Sequence, residues 1–155
     1  MKPLVANSLV MIVPADKPEF KLDTIANANR ISLGTIDTVP AGRYAKDALS
    51  ASNLWDQVES KVVYAKDVKA VGATIASGAA DVGFVYKTDA IALGDKVKIT
   101  ETVPNNLHKP ILYPIGIISK QKNDLTSDFY KYLTSPEAMQ ILQKYGFSDV
   151  PNTAK

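Results

Sequence analysis

At 155 residues, with 46% hydrophobic and 22% charged residues, the chain has an ordinary globular composition and enough length for one good core. A formal charge of +2, with acids and bases interspersed, provides no basic stripe of the kind that follows a nucleic-acid backbone, which argues against nucleic acid as a partner. Cysteine is absent, so disulfides and thiolate chemistry are excluded while the compartment is left open.

Residues 1–8 are too short and too polar for a signal peptide, and no apolar run approaches the ~18 residues of a membrane span, so the expectation is a soluble chain with no address of its own. Leu9-Val10-Met11-Ile12-Val13, closed by Pro14, reads as a strand buried on both faces. Such a strand needs a neighbour on each side, and the one obvious partner is the later stretch from Ile111 to Ile118. Residues 20–30 read as a short helix or helical turn with Leu22, Ile25 and Ala26 as its apolar contacts.

Ile31, Leu33 and Ile36 supply the next strand, Asp37-Thr38 a turn, and Pro40 suits the first helical position, where its missing N–H costs nothing and its φ is already helical. Tyr44, Ala45, Ala48 and Leu49 give that helix one buried face, and it should end near residues 50–53, with Leu54-Trp55 folding back as an apolar anchor. Val62-Val63-Tyr64-Ala65 is a short strand, Asp67 a helix N-cap, and Gly78 the left-handed stop of a helix from Val68 to about Ser77. A third copy follows, with a strand over residues 81–86 and a helical segment over 87–92. Strands alternating with helices at this spacing imply parallel pairing through right-handed crossovers. Residues 97–104 alternate with period two and suit an edge strand; residues 104–110 connect to the return strand at 111–118. Two helices close the chain, one on Leu125, Phe129, Tyr132 and Leu133, the other capped by Ser135-Pro136-Glu137 and ended by Gly146, before a loose tail over residues 151–155.

In an open α/β sheet, ligands sit beyond the carboxyl ends of the parallel strands, and three turns lie at such ends: around Ala41, Val68 and Tyr86. The first-turn amides of a helix have no intrahelical acceptor and carry the positive end of its dipole. Small Ala41 and Gly42 let a ligand approach the backbone. Two helix N-termini and a tyrosine hydroxyl offer donors and hardly any acceptors, which suits an oxyanion that is ionised at neutral pH; the same stretches also read as plain capped turns. Lys66, Lys69 and Lys87 read as a solvated rim, and Trp55 as a packing residue rather than a stacking platform. Enzyme readings fare poorly: His108 stands alone in a polar connection, the glycine-rich nucleotide signatures are missing, and no two acids are singled out as acid and base.

The chain resembles the periplasmic molybdate-binding proteins, the substrate receptors of molybdate and tungstate ABC importers. The resemblance is carried by residues 7–14 (Asn-Ser-Leu-Val-Met-Ile-Val-Pro), residues 39–49 from Val39-Pro40-Ala41-Gly42 to Leu49 with Leu54-Trp55, Asp67-Val68, residues 83–90 (Gly-Phe-Val-Tyr-Lys-Thr-Asp-Ala), Tyr113-Pro114-Ile115, Ser135-Pro136-Glu137-Ala138 and Tyr145-Gly146-Phe147. It implies a non-catalytic binding protein without a cofactor, holding the oxyanion by neutral hydrogen bonds in a cleft between two lobes. The matching positions are the amides of Ala41 and Val68 and the hydroxyl of Tyr86, with Pro40 and Gly42 in support.

The resemblance also implies an α/β fold: a periplasmic-binding-protein-like lobe with a mainly parallel sheet flanked by helices over residues 15–104, and an incomplete second lobe formed by the two ends, 1–14 and 105–155. Relatives carry a further half-lobe before the first buried strand, with two serine-bearing turns, so the expectation is a truncated chain whose strand 9–13 has lost its sheet neighbours. Implied partners are the importer's membrane subunits, with self-association or strand exchange completing the missing half-lobe. The implied location is the periplasm or the outer face of the membrane. A cytoplasmic ligand-sensing domain of a transcriptional regulator with the same fold is the alternative.

Overall fold

The structure, a computed structural model, describes residues 1–152; the part of the expected loose tail at Thr153, Ala154 and Lys155 lies outside them. Its strands are β1 (Lys2–Asn7), β2 (Leu9–Pro14), β3 (Ile31–Gly34), β4 (Val62–Ala65), β5 (Val82–Tyr86), β6 (Val97–Thr102) and β7 (Ile111–Ile115). Its α-helices are α1 (Pro40–Ala51), α2 (Trp55–Val58), α3 (Val68–Ala76), α4 (Lys87–Leu93), α5 (Asp124–Leu133) and α6 (Pro136–Lys144). The chain divides into two compact units, Ser8–Lys109 and the two ends, Met1–Asn7 with the chain from Pro110 onward.

The larger unit is built on a five-stranded sheet of order β4-β3-β5-β2-β6. β3 pairs in parallel with β4 and β5, whereas β2 pairs antiparallel with both β5 and β6, so the sheet is mixed rather than mainly parallel. β2 is buried along its whole length, as its unbroken apolar run requires. Its neighbours differ from those expected. They are β5 and β6, and the stretch 111–118 instead contributes β7, which pairs with β1. The strand is therefore not orphaned. Both of its edges are hydrogen-bonded within Ser8–Lys109, which also moves the expected boundary: residues 8–14 and 105–109 group with 15–104, not with the chain's ends.

The face assignment of the helices follows from the strand order. β4 lies on one side of β3 and β5 on the other, so the crossovers through α1 and α3 run in opposite directions, and two right-handed crossovers of opposite direction place their helices on opposite faces. α3 and α4 cover the face that carries Val10, Ile12 and Val85, packing Val71, Ile75 and Ala90 against them. α1 buries Ala41, Ala45, Ala48 and Leu49. β6, with its alternating pattern, is an edge strand as its sequence predicts. Over residues 20–30 the helical content is a single 3-10 turn at Ile25–Asn27.

The smaller unit holds β1 and β7 as an antiparallel pair with an irregularity between Pro3 and Val5. The β1 strand has no strong sequence signal: Lys2 and Pro3 are exposed, and only Val5, Ala6 and Asn7 are buried. Ala6 exchanges backbone hydrogen bonds with Ser148 at 2.8 and 2.9 Å, Asn7 Nδ2 donates to the Tyr113 hydroxyl at 3.1 Å, and Tyr113 meets the Phe147 ring edge-on. α5 starts at Asn123, whose side chain accepts from the Thr126 amide, and α6 starts at Ser135 as its sequence predicts. Leu125 and Phe129 of α5 are 79% and 60% exposed, so the apolar stripe read from the sequence is largely uncovered in this unit.

At Gly42 the backbone of α1 comes close against that of β3. A Cβ there would stand 2.0 Å from the carbonyl oxygen of Gly34. A clash with backbone cannot be relieved by a rotamer change. We predict that Gly42→Ala lowers unfolding stability by roughly 2–3 kcal/mol in urea denaturation, whereas Gly78→Ala, which places a Cβ in open space at φ +76°, costs only about 1 kcal/mol.

Candidate functional site

The three turns singled out in the sequence follow β3, β4 and β5, which are neighbours in the sheet and run parallel, so all three turns stand at one edge of it. Hydrogen bonds tie the strand ends together there. Thr35, just past β3, donates its amide at 2.9 Å and its hydroxyl at 3.1 Å to the carbonyl of Ala65, the last residue of β4. Tyr86 is in register with Leu9, and the Lys87 amide donates to the Ser8 carbonyl at 2.9 Å, which ties the end of β5 to the start of β2.

The first turn is capped by apolar Val39, which offers no side-chain acceptor, with Pro40 in the first turn as expected. The Arg43 amide reaches the Val39 carbonyl at 3.2 Å, and the amides of Ala41 and Gly42 precede it. No intrahelical acceptor exists for such positions. Ala41 is buried, which raises the value of any acceptor that reaches its N–H, since a buried unpaired amide costs about 1–3 kcal/mol. Gly42 has a packing role besides the expected one: the side it leaves bare faces Gly34, so it seats α1 on β3.

The second turn is capped conventionally. Asp67 Oδ1 accepts from the Ala70 amide at 2.7 Å, leaving the amides of Val68 and Lys69 at the tip of α3. With its carboxylate engaged in this way, Asp67 is a weaker obstacle to an anion than its charge implies. In the third turn, Tyr86 is the half-buried N-cap of α4, and its amide donates to Asp89 Oδ2 at 3.2 Å. Asp89 was not singled out from the sequence, although an acid three residues after an N-cap is a recognisable capping spacing. Burial pushes its carboxyl above the usual range, opposed by the hydrogen bond from Tyr86 and by the nearby Lys69 ammonium.

The remaining candidates are peripheral. Lys66, Lys69 and Lys87 are exposed, as a rim reading requires. Trp55 is half-buried beneath the Lys46 ammonium, 5.3 Å from its ring centroid. His108 is less isolated than its sequence surroundings indicate: its ring lies 5.7 Å from that of Tyr44, and Nδ1 is 2.7 Å from the Lys109 carbonyl. Among the described residues no group of three or more His, Cys, Asp or Glu could hold a metal ion, and no helix is long and apolar enough to cross a membrane.

The larger unit thus gathers the N-termini of α1 and α3 and the side chain of Tyr86 at the carboxyl edge of its parallel strands. The chain belongs to the bacterial extracellular solute-binding protein family, whose model matches residues 1–148. It is 43% identical over 148 residues to YvgL of Bacillus subtilis, named as an ABC transporter substrate-binding lipoprotein, covering 94% of this chain and 56% of that one. It is 39% identical over 154 residues to the molybdate-binding protein ModA of Haemophilus influenzae, covering 95% and 60%. A solved structure described as the substrate-binding domain of a molybdenum ABC transporter from Clostridium difficile superposes with a TM-score of 0.89 at 38% identity, covering 97% of this chain and 66% of that one. The chain thus spans less than two thirds of the length of these curated relatives.

The raised Asp89 carboxyl yields a pH dependence. The folded state holds this proton more tightly than the unfolded state, so the contribution of Asp89 to stability is greatest below the ordinary carboxylate value of 3.8 and declines as pH rises from there through the folded value. Asp89→Asn keeps an acceptor for the Tyr86 amide and removes the titration. Thermal unfolding followed from pH 3.5 to 7 is expected to show a less negative slope for the variant than for the parent.

Proposed function

We propose that the chain is the substrate-binding part of a molybdate or tungstate ABC importer, and that it holds the tetrahedral oxyanion through the amides of Ala41 and Val68 and the hydroxyl of Tyr86, with Pro40 and Gly42 shaping the first turn. The observation that carries this reading is the placement of those three turns at one edge of three adjacent parallel strands, with α1 lacking a side-chain cap of its own. The similarity to a molybdate-binding protein and to the binding domain of a molybdenum transporter supports the choice of ligand. Neutral donors suit a dianion, because each N–H or O–H gains strength from a charged acceptor while no counter-charge has to be desolvated. Sulfate carries the same charge, so preference for molybdate rests on the size of the space between the donors.

In this reading the protein works outside the cytoplasmic membrane, as the family description implies, and delivers its ligand to the importer's membrane subunits. Self-association is part of the proposal, supported by the uncovered apolar side chains of α5. Calorimetric titration of the chain with molybdate, with sulfate and phosphate as controls and light scattering on the same sample, tests it. The expected result is selective binding of molybdate tighter than about 10 μM, roughly −7 kcal/mol. Equal heats with sulfate, or none with molybdate, overturn the reading. Tyr86→Phe is expected to weaken molybdate binding about tenfold, the worth of one charge-assisted hydrogen bond of roughly 1.4 kcal/mol; unchanged affinity removes Tyr86 from the site.

A further inference from the structure

Behind the edge that carries the turns, α3 and α4 enclose a groove of about 250 Å³ lined by Val68, Lys69, Gly72, Asp89, Ala92 and Leu93. Gly72 lets Leu93 come close across it: a Cβ on Gly72 would stand 2.9 Å from Leu93 Cδ1. Asp89 is the one acidic residue lining this groove. Its Oδ2 accepts the Tyr86 amide at 3.2 Å, and on the α3 side it faces Lys69, the residue next to Val68. One half-buried carboxylate thus touches the base of one proposed ligand position and stands beside another.

We propose that Asp89 is a positioning residue for the oxyanion site, fixing Tyr86 at the start of α4 and holding that start in register with the Val68 tip of α3. The inference rests on the function proposed above and extends it to a residue outside the ligand's reach. An acid is a costly choice near a dianion, since its charge opposes the ligand. It is retained here because its oxygen is an anchor for a backbone amide that would otherwise be left without that acceptor, and Lys69 offsets part of its charge. The hydrogen-bonding function needs an oxygen at this place and does not need the charge.

That separation makes the test. Asp89→Ala removes the oxygen, and Asp89→Asn keeps it while removing the charge. Amide hydrogen exchange of Tyr86 and molybdate titration are measured on the full chain for both variants, for Tyr86→Phe and for the double variant Tyr86→Phe with Asp89→Ala. With Asp89→Ala, the expected results are at least roughly tenfold faster exchange at Tyr86 and at least roughly tenfold weaker binding, while Asp89→Asn stays within about threefold of the parent in both. In the Tyr86→Phe background, adding Asp89→Ala is expected to cost little further affinity, because the residue it positions has already lost its hydroxyl. Unchanged exchange and affinity in Asp89→Ala, in a parent that binds molybdate and is weakened by Tyr86→Phe, overturn the role of Asp89 alone. Full additivity of the two substitutions also overturns it, since it assigns Asp89 an effect independent of Tyr86. A parent chain that binds no molybdate overturns the proposed function, and with it the role of Asp89 at the site.

Discussion

Helix α1 is seated on bare backbone, and the arrangement of the candidate site depends on that contact. Gly42 stands against the Gly34 carbonyl with no room for a Cβ, and a Cβ on Gly34 would in turn lie 2.4 Å from Val39 Cγ1. The three residues lock strand end, turn and helix start into one piece. They also explain an otherwise poor choice of N-cap. Val39 is buried against Gly34, so packing has claimed the position where Ser, Thr or Asp would ordinarily satisfy the helix's own first amides. A helix that gives up its side-chain cap leaves its donors to something else, and in a binding protein that something can be the ligand.

The sheet order completes the arrangement. Because β3 sits between β4 and β5, the helices that follow lie on opposite faces while their N-termini return to a common edge. The antiparallel β2 then closes the far side of β5, with its first residue, Leu9, and the preceding Ser8 at that same edge. The turns differ in how they are satisfied: Asp67 uses a side-chain oxygen on its own helix, Val39 offers none, and Tyr86 has its amide held from within α4 by Asp89.

Much of this was legible because it is local. Pro40 at a helix start, Asp67 as a cap, Gly78 and Gly146 as left-handed stops and the apolar run of β2 each follow from the residue's own backbone preferences, and the structure places them as read. The partners of β2 were not legible, since antiparallel pairing with β5 and β6 joins segments roughly seventy to ninety residues apart and leaves no periodic trace in either. The assignment of residues 8–14 to the wrong unit followed from that miss. β1 escaped notice because it begins with exposed Lys2 and Pro3 and only its last three residues are buried. At the candidate site the spacing of Ala41, Val68 and Tyr86 was readable from turn chemistry, while the purpose of Gly42 was not: a glycine in a helix's first turn looks the same whether it makes room for a ligand or for a carbonyl. The position of Gly34 reveals the second.

The passage of the chain between its two units at Asn7–Ser8 and again at Lys109–Pro110 bears on the order in which the molecule folds. Asn7 and Tyr113, which are joined by a hydrogen bond, are 106 residues apart, and closing a loop of that length in an unfolded chain carries a large entropic cost. The segment between them is a unit with its own sheet, and its first and last strands, β2 and β6, are hydrogen-bonded neighbours, with the Val103 amide reaching the Leu9 carbonyl at 2.9 Å. Once that unit has folded, its two ends are already side by side. The loop that β1 and β7 must close then shrinks from the whole intervening chain to a few residues at each end. The pairing of β1 with β7, distant in sequence, thereby carries a small loop-closure cost once the unit that holds the candidate site has formed.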